Sequence, residues 1–402
     1  EKLEDKWYSY WLDKRYFHAD ENSSKEPFTI IIPPPNVTGK LTMGHVLNNT
    51  IQDILIRKAR MEGKNACWIP GIDHASIATE SKVVAMLSEK GIEKSDLSRQ
   101  EFLNHAWEWK EKYGGIIIKQ LKTLGCSCDW DRERFTMDED YTNAIMHAFV
   151  ELYNKDLIYK GKRLVNWCPV SKSAISDEEV IHQEKNGKLW YLRYPISNED
   201  DFLVVATTRP ETMLGDTAVA VNPSDKRYTH LAGKSVTLPL ADRVIPIIFD
   251  ELVNLDFGTG CVKVTPAHDP NDFEMGERHK LPFINIMNPD ATLNQEVPIK
   301  FQKLSREEAR KAVINEMDAK GLLDKVEEYT NNVGFSERGG VPIEYYLSDQ
   351  WFMKMESLAE PASEAIKSGS IKFHPQHWVK TYHHWMENIK DWCISRQLVW
   401  GH

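Results

Sequence analysis

The sequence predicts an α/β chain, a doubly wound parallel fold of Rossmann type into which a mostly-β domain is inserted. Three observations carry this. Two short apolar runs flank a helical stretch between residues 28 and 69; the texture changes to short alternating strands between residues 188 and about 328; and an aromatic-rich helical texture returns from Pro342 onward.

Each element has a local reason. Residues 2 to 17 space Trp7, Tyr8, Tyr10, Trp11 and Phe17 at roughly helical intervals, which predicts an amphipathic helix docked on a core within an N-terminal extension, 1–27. Phe28 to Ile32 reads as a fully buried strand, stopped by Pro33, Pro34 and Pro35, which lack ladder donors. Leu47, Ile51, Ile54, Leu55 and Ala59 then recur at the spacing that lines the packed face of a helix. Asn65 to Ile69 is the second strand, ended by Pro70-Gly71. Strand, helix, strand is the βαβ unit of a parallel sheet, and 28–187 is expected to be the domain built on it. In 188–333, runs such as Phe202 to Ala206, Thr217 to Val221 and Cys261 to Thr265 alternate with period two between turn signals, predicting a compact, barrel-like β domain. Ser305 and Glu308 occupy capping-box positions of a helix over 305–320. Residues 334–402 return to the first domain.

Composition narrows the function classes. With 402 residues, 41% hydrophobic and 10% aromatic, the chain can bury more than one core. A net charge of −10 excludes the general basic field of a simple DNA-binding module, so a nucleic-acid partner must be held by local basic patches. Lys155 to Arg163 is one candidate, though such a run is also an ordinary solvated face. Cys67, Cys126, Cys128, Cys168, Cys261 and Cys393 have no framework spacing, which fits reduced thiols in the cytoplasm. No apolar run is long enough for a membrane. Glu1 opens the chain in place of Met and His402 closes it inside a Trp-rich stretch, from which a piece of a longer protein is expected.

Two stretches stand out chemically. Pro33-Pro34-Pro35-Asn36-Val37-Thr38-Gly39-Lys40-Leu41-Thr42-Met43-Gly44-His45 is a strand end, a stiff turn and a helix N-terminus. Unpaired N–H groups and the positive dipole end make such a terminus a seat for phosphates. Taken alone, Thr42 is an N-cap and His45 a surface residue. Pro70-Gly71-Ile72-Asp73-His74-Ala75-Ser76-Ile77-Ala78-Thr79-Glu80 follows the second strand, at the carboxyl edge where open α/β sheets bind ligands. Asp73 there can meet a cation such as an ammonium, or simply form a turn.

Together these stretches resemble the valyl-tRNA synthetases, class I aminoacyl-tRNA synthetases. The resemblance runs along the whole chain, including Gly125-Cys126-Ser127-Cys128-Asp129-Trp130, Asn166-Trp167-Cys168-Pro169 and Trp392-Cys393-Ile394-Ser395-Arg396-Gln397, and corresponds to the N-terminal portion of that family. It implies the first half of the catalytic Rossmann fold, with an editing domain inserted. Thr42, Gly44 and His45 would be catalytic; these three and Asn48 would hold ATP, with Mg2+ accompanying it; Pro33, Pro34, Asn36 and Asp73 would bind valine, Asp73 taking its ammonium. One departure is notable: the family's His-x-Gly-His begins here with Thr42. Losing one preorganised donor costs about 3 kcal/mol in a transition state, so slower activation is expected.

In the β domain, Thr207-Thr208-Arg209-Pro210-Glu211-Thr212 closes one strand, and Lys263-Val264-Thr265-Pro266-Ala267-His268-Asp269-Pro270-Asn271-Asp272 closes another and opens a helix. Alternation puts Lys263 and Thr265 on one face, and one of Asp269 and Asp272 is expected to cap the helix. By resemblance Thr207, Thr208, Arg209, Thr212, Lys263, Thr265, Asp269 and Asp272 form the editing pocket, with Arg209, Thr212, Lys263 and Thr265 positioning the ester and terminal adenosine, Asp272 holding the ammonium and Asp269 reading the hydroxyl, or the reverse. Such a pocket has a physical reason, because an apolar site rejects threonine in favour of valine by only about a hundredfold, a value for which this family is itself the standard case. A water positioned by hydroxyls and backbone groups is expected to attack.

Cys168-Pro169-Val170-Ser171 has one cysteine where some relatives carry Cys-x-x-Cys, and Phe335-Ser336-Glu337-Arg338-Gly339 has none, so no structural zinc is expected. His383, His384 and His402 are ligands by type only. The expected function is valine–tRNA ligase with hydrolytic editing of threonyl-tRNA(Val); the expected partners are tRNA(Val), valine and ATP, with no DNA or membrane, and a monomer is expected although no residue specifies the oligomeric state. The rival readings are a free-standing editing deacylase and an inactive synthetase-like RNA-binding module.

Overall fold

In a computed structural model, which describes residues 2–402, the chain folds as two compact units, residues 2–155 with 398–402 and residues 156–397. Glu1, the first residue of the expected N-terminal extension, lies outside the described residues.

The first unit comprises α1 (Lys2–Asp13), β1 (Pro27–Ile31), α2 (Met43–Met61), β2 (Asn65–Ile69), β3 (Gly71–Ile72), α3 (Ser76–Glu89), α4 (Arg99–Thr123), β4 (Arg134–Phe135) and α5 (Glu139–Asn154). Strands β1 and β2 pair in parallel from Pro27↔Asn65 to Ile31↔Ile69, with α2 as the crossover, so the expected βαβ unit is present. Ile32 still donates to Ile69 O at 3.0 Å; after it three prolines end the donors. Short β3 and β4 form a second parallel pair. The core holds Ile32, Ile56, Trp68, Val83, Leu87, Phe102, Ile117, Leu121 and Trp400. α1 docks as expected through Tyr8, whose hydroxyl donates to Cys126 O at 2.6 Å.

Two expectations are corrected here. β1 is not fully buried: its burial alternates, and Ile31 is 70% exposed. Of the expected stripe, Leu47, Ile51, Ile54 and Leu55 are exposed and Ala59 alone is buried; α2 packs inward through Asn49, Ile56 and Ala59. Specific polar pairing decides this. Gln52 accepts the Trp68 indole N–H at 3.0 Å, and Asp53 accepts the Ser127 N–H at 2.8 Å, which turns the less apolar face inward.

The second unit comprises β5 (Ile158–Cys168), β6 (Ser173–Ala174), β7 (Val180–Pro195), β8 (Phe202–Thr207), β9 (Ala218–Val221), β10 (Ser235–Leu238), β11 (Arg243–Phe249), β12 (Cys261–Val264), α6 (Pro270–His279), α7 (Arg306–Ala319), β13 (Leu323–Ser336), β14 (Glu344–Met353), α8 (Glu356–Lys367), α9 (Trp378–Glu387) and β15 (Trp392–Cys393). Its sheets run β15-β14-β5-β6, β13-β7-β8 and β10-β11-β9-β12, the last mixed because β11 lies parallel to β9. A core of Leu192, Tyr194, Val205, Met213, Val219, Val221, Leu238, Ile286, Phe301, Val313 and Met317 ties the last two sheets to α7. Ser305 and Glu308 cap α7 reciprocally, as expected. Among the described residues no helix is long and apolar enough to cross a membrane.

Candidate functional site

In the first unit the chain leaves β1 and β2 side by side. The two exits are locked: the Asp73 N–H donates to Pro35 O and the Val37 N–H to Asp73 O, both at 2.9 Å, forming a parallel bridge between Asn36 and Asp73. Asn36 is exposed and Asp73 half-buried. Asp73 Oδ1 accepts the Ala75 N–H at 3.1 Å and the Thr136 hydroxyl at 3.0 Å; Oδ2 has no hydrogen-bond partner among the described residues. A cation can therefore be met at Oδ2 without breaking the turn. His74 stays below the ordinary imidazole range, chiefly through burial, with His402 adding to the effect against the opposing pull of Asp73. Ala75 starts α3 at φ 50°, ψ 39°, a left-handed conformation that costs an L-residue roughly 1–2 kcal/mol.

Thr42 is the N-cap of α2. Its N–H donates to His45 Nδ1 at 3.1 Å, and its hydroxyl lies 2.8 Å from the same nitrogen. A neutral His45 therefore carries its proton on Nε2, turned away from the cap. A Cβ on Gly44 would meet only Thr42 Oγ1, at 3.7 Å, so no protein atom demands glycine there. Asn48 is exposed and hydrogen-bonded to Gln52. A cavity of about 430 Å³ opens at the carboxyl ends of β1 and β2, lined by Ile32, Pro34, Pro70, Gly71, Arg134 and Thr136 among others. Of the residues expected to hold the amino acid, Pro34 alone lines it. Pro33 is exposed on the same turn.

In the second unit the two expected segments meet. Lys263 Nζ donates to Thr265 Oγ1 at 2.6 Å, so the alternation argument places them correctly on one face. Asp216, a residue the sequence reading missed, organises them: fully buried, it accepts the Thr265 hydroxyl at 2.6 Å, the Tyr194 hydroxyl at 2.7 Å and Lys263 at 3.4 Å. Burial raises its pKa against the pull of these donors. Asp269 is the helix cap, accepting the Asn271 and Asp272 N–H groups at 2.9 and 3.2 Å. Asp272, 5% exposed, accepts the Thr265 N–H at 2.8 Å. Burial, aided by neighbouring Asp269, pushes its carboxyl up to about 7.

Arg209 is held by Glu344 and by Glu211 at 3.4 Å, and reaches His268 O at 3.3 Å. Arg310 in turn grips Glu211 at 2.8 and 2.9 Å, and Arg306 meets Glu344 at 2.6 Å. The sequence reading also missed this network. Charged residues at the start of α7 were its only signal. Thr207 Oγ1 accepts the Arg209 N–H at 3.0 Å, and the Thr212 hydroxyl donates to Arg209 O at 2.9 Å, so both shape the turn that aims Arg209. Thr208 is half-buried beside them. His268, buried with Nε2 accepting the Ile286 N–H at 3.0 Å, is driven down to about 3, chiefly by burial, and stays neutral.

Cys168 and the Ser336–Gly339 turn do come together: a Cβ on Gly339 would fall 2.6 Å from Cys168 Sγ. Among the described residues, His18, Asp129 and Asp131 are close enough to share an ion, but Arg132 and Arg15 already face these carboxylates at 3.1 and 2.6 Å. His402 packs its ring on His74 at 5.0 Å, while His383 and His384 do not join such a group.

A family model described as tRNA synthetases class I (I, L, M and V) matches residues 6–402. Curated relatives include a valine–tRNA ligase of Bacteroides fragilis, 58% identical over 400 residues and covering 100% of this chain and 45% of that protein. One of Christiangramia forsetii is 56% identical, covering 100% and 46%, and one of Fusobacterium nucleatum is 52% identical, covering 100% and 45%. The chain thus spans about half the length of these relatives. Among solved structures, a LeuRS of Agrobacterium radiobacter in a ternary complex with tRNA and LeuAMS is 19% identical, with a TM-score of 0.41, over 85% of this chain and 48% of that one.

Proposed function

The chain belongs to the class I tRNA synthetases, and from that premise we propose that it carries the amino-acid-activating and editing parts of a valine–tRNA ligase. Its substrates are then valine, ATP with Mg2+, and tRNA(Val), and its compartment the cytoplasm. The observation that carries this reading is the Asn36–Asp73 bridge. It holds the wall of the amino-acid site and the ammonium-binding carboxylate together at the carboxyl ends of β1 and β2, the edge where such sheets bind ligands. Whole-chain identity of 52–58% to valine–tRNA ligases supports valine as the amino acid.

On this reading the valine ammonium meets Asp73 Oδ2, and Pro33, Pro34 and Asn36 wall the side chain. The triphosphate rests on the amino end of α2, where Gly44 leaves space and His45 Nε2–H donates. The valine carboxylate attacks the α-phosphorus and pyrophosphate leaves; the ribose hydroxyl at the tRNA 3′ end then attacks the acyl carbon, losing its proton as AMP departs. Thr42 contributes less to the developing phosphate charge than an imidazole would, because its hydroxyl is turned onto His45.

In the second unit, Thr265, Lys263 and Asp272 form an editing pocket with the Thr207–Thr212 turn. Asp272 takes the ammonium of a misplaced threonyl group and gives up its own proton as it does so; Asp269 serves the helix and reads the threonine hydroxyl with its second oxygen. Valine-dependent ATP–pyrophosphate exchange tests the first site and threonyl-tRNA hydrolysis the second. Exchange with valine above all other amino acids supports the ligase. Hydrolysis without exchange would make the protein a deacylase, and tRNA binding with neither an RNA-binding module.

A further inference from the structure

Glu80 ends the second motif and has no role in the chemistry described so far. It lies on α3, five residues past Ala75, and is 4% exposed. A carboxylate so deeply buried must be fully engaged. Its Oε2 accepts the backbone N–H groups of Val399 and Trp400 at 2.8 and 2.9 Å, and its Oε1 meets Lys94. Trp400, itself fully buried, packs its ring against Trp107 at 5.1 Å and donates its indole N–H to His74 O at 2.8 Å.

That carbonyl belongs to the peptide entering Ala75, whose left-handed backbone persists only if its surroundings over-determine it. Thr136 and the Asp73 side chain supply the local ties. The distant tie runs from Glu80 through Trp400. We propose that Glu80 is a positioning residue for the amino-acid site: it seats Trp400, the Trp400 indole holds the His74 carbonyl, and the strained turn thereby aims Asp73 Oδ2 at the substrate ammonium. This rests on the reading that Asp73 binds that ammonium.

The test uses the intact protein, with Glu80→Ala, Glu80→Gln and Trp400→Phe. Valine, isobutylamine (the ammonium without the carboxylate) and isovalerate (the carboxylate without the ammonium) serve as probes in binding and in valine-dependent exchange. Glu80→Ala and Trp400→Phe should weaken valine and isobutylamine at least tenfold, leaving isovalerate and the KM for ATP within twofold. Glu80→Gln, whose amide oxygen still accepts from both N–H groups, should restore binding to within threefold of the parent. Amide hydrogen exchange at His74 and Ala75, whose N–H groups are tied to Thr136 and Asp73, gives a readout independent of any ligand, and should quicken at least tenfold in Glu80→Ala and Trp400→Phe. Equal loss for isobutylamine and isovalerate, or unchanged valine binding in both variants, overturns the proposal. Unchanged exchange protection also overturns it, whether or not valine binds. Failure of the unsubstituted protein to bind valine, with the protection pattern as expected, would instead remove the amino-acid assignment and leave the Glu80–Trp400 clamp standing.

Discussion

The candidate site of the first unit is made mainly of backbone, and that of the second mainly of buried charge. Around Asn36 and Asp73 the geometry is set by peptide groups, while Gly44, Asn48 and Asn36 stay exposed and Asp73 keeps an oxygen in reserve. Around Asp216 every oxygen is already taken, and Lys263, Thr265 and Asp272 are all but sealed from solvent. The two kinds of preorganisation carry different costs. A backbone site stores modest strain, as at Ala75, and can lose a side chain without unfolding. A site of buried ions is rigid but depends on every partner, because an unpaired buried charge is far more costly than a paired one is favourable.

Asp216→Ala strikes the buried-charge site at its centre. Removing it orphans Lys263, Thr265 and Tyr194 together, and the second unit should lose about 3–5 kcal/mol of stability in chemical denaturation. A loss under 1 kcal/mol would mean that water replaces the carboxylate and that the site is not built on buried charge.

Next is acid–base behaviour. A carboxyl titrates near 3.9 when unfolded and Asp272 at about 7 when folded. Between those values the folded state holds a proton the unfolded state has released. Its contribution is therefore fully present below about pH 4 and falls away as pH rises to 7, by up to roughly 4 kcal/mol. Thermal unfolding of Asp272→Asn should lack this slope. An identical slope in the variant would assign it to other groups.

In the first unit Asp73→Asn should leave the unfolding midpoint nearly unchanged and weaken valine binding about a hundredfold, or roughly 2.7 kcal/mol, by titration calorimetry. A large loss of stability with normal binding would reverse the contrast between the units. Thr42→His should raise valine-dependent pyrophosphate exchange about tenfold, a part of the roughly hundredfold that a preorganised donor supplies, because the new imidazole enters a cap not built to hold it. No change would clear Thr42 as a defect.

What could be read from the chain alone was whatever depends on neighbours a few positions apart. The proline stop after β1, the βαβ unit, the reciprocal cap of α7 and an aspartate cap on α6, open between Asp269 and Asp272 until the fold selected Asp269, all follow from such short-range rules. So does the shared face of Lys263 and Thr265. The family resemblance supplied the proposed residue roles, which spacing does not.

Only the tertiary structure decided which stripe of α2 is buried, since that helix is apolar on two sides and the choice falls to Gln52 and Asp53 meeting Trp68 and Ser127. It alone joined Asp216 to Thr265, 49 positions away, Arg209 to Glu344, 135 away, and Glu80 to Trp400, 320 away. Buried carboxylates must find donors wherever the folded chain brings them, and periodicity carries no information about partners at such separations.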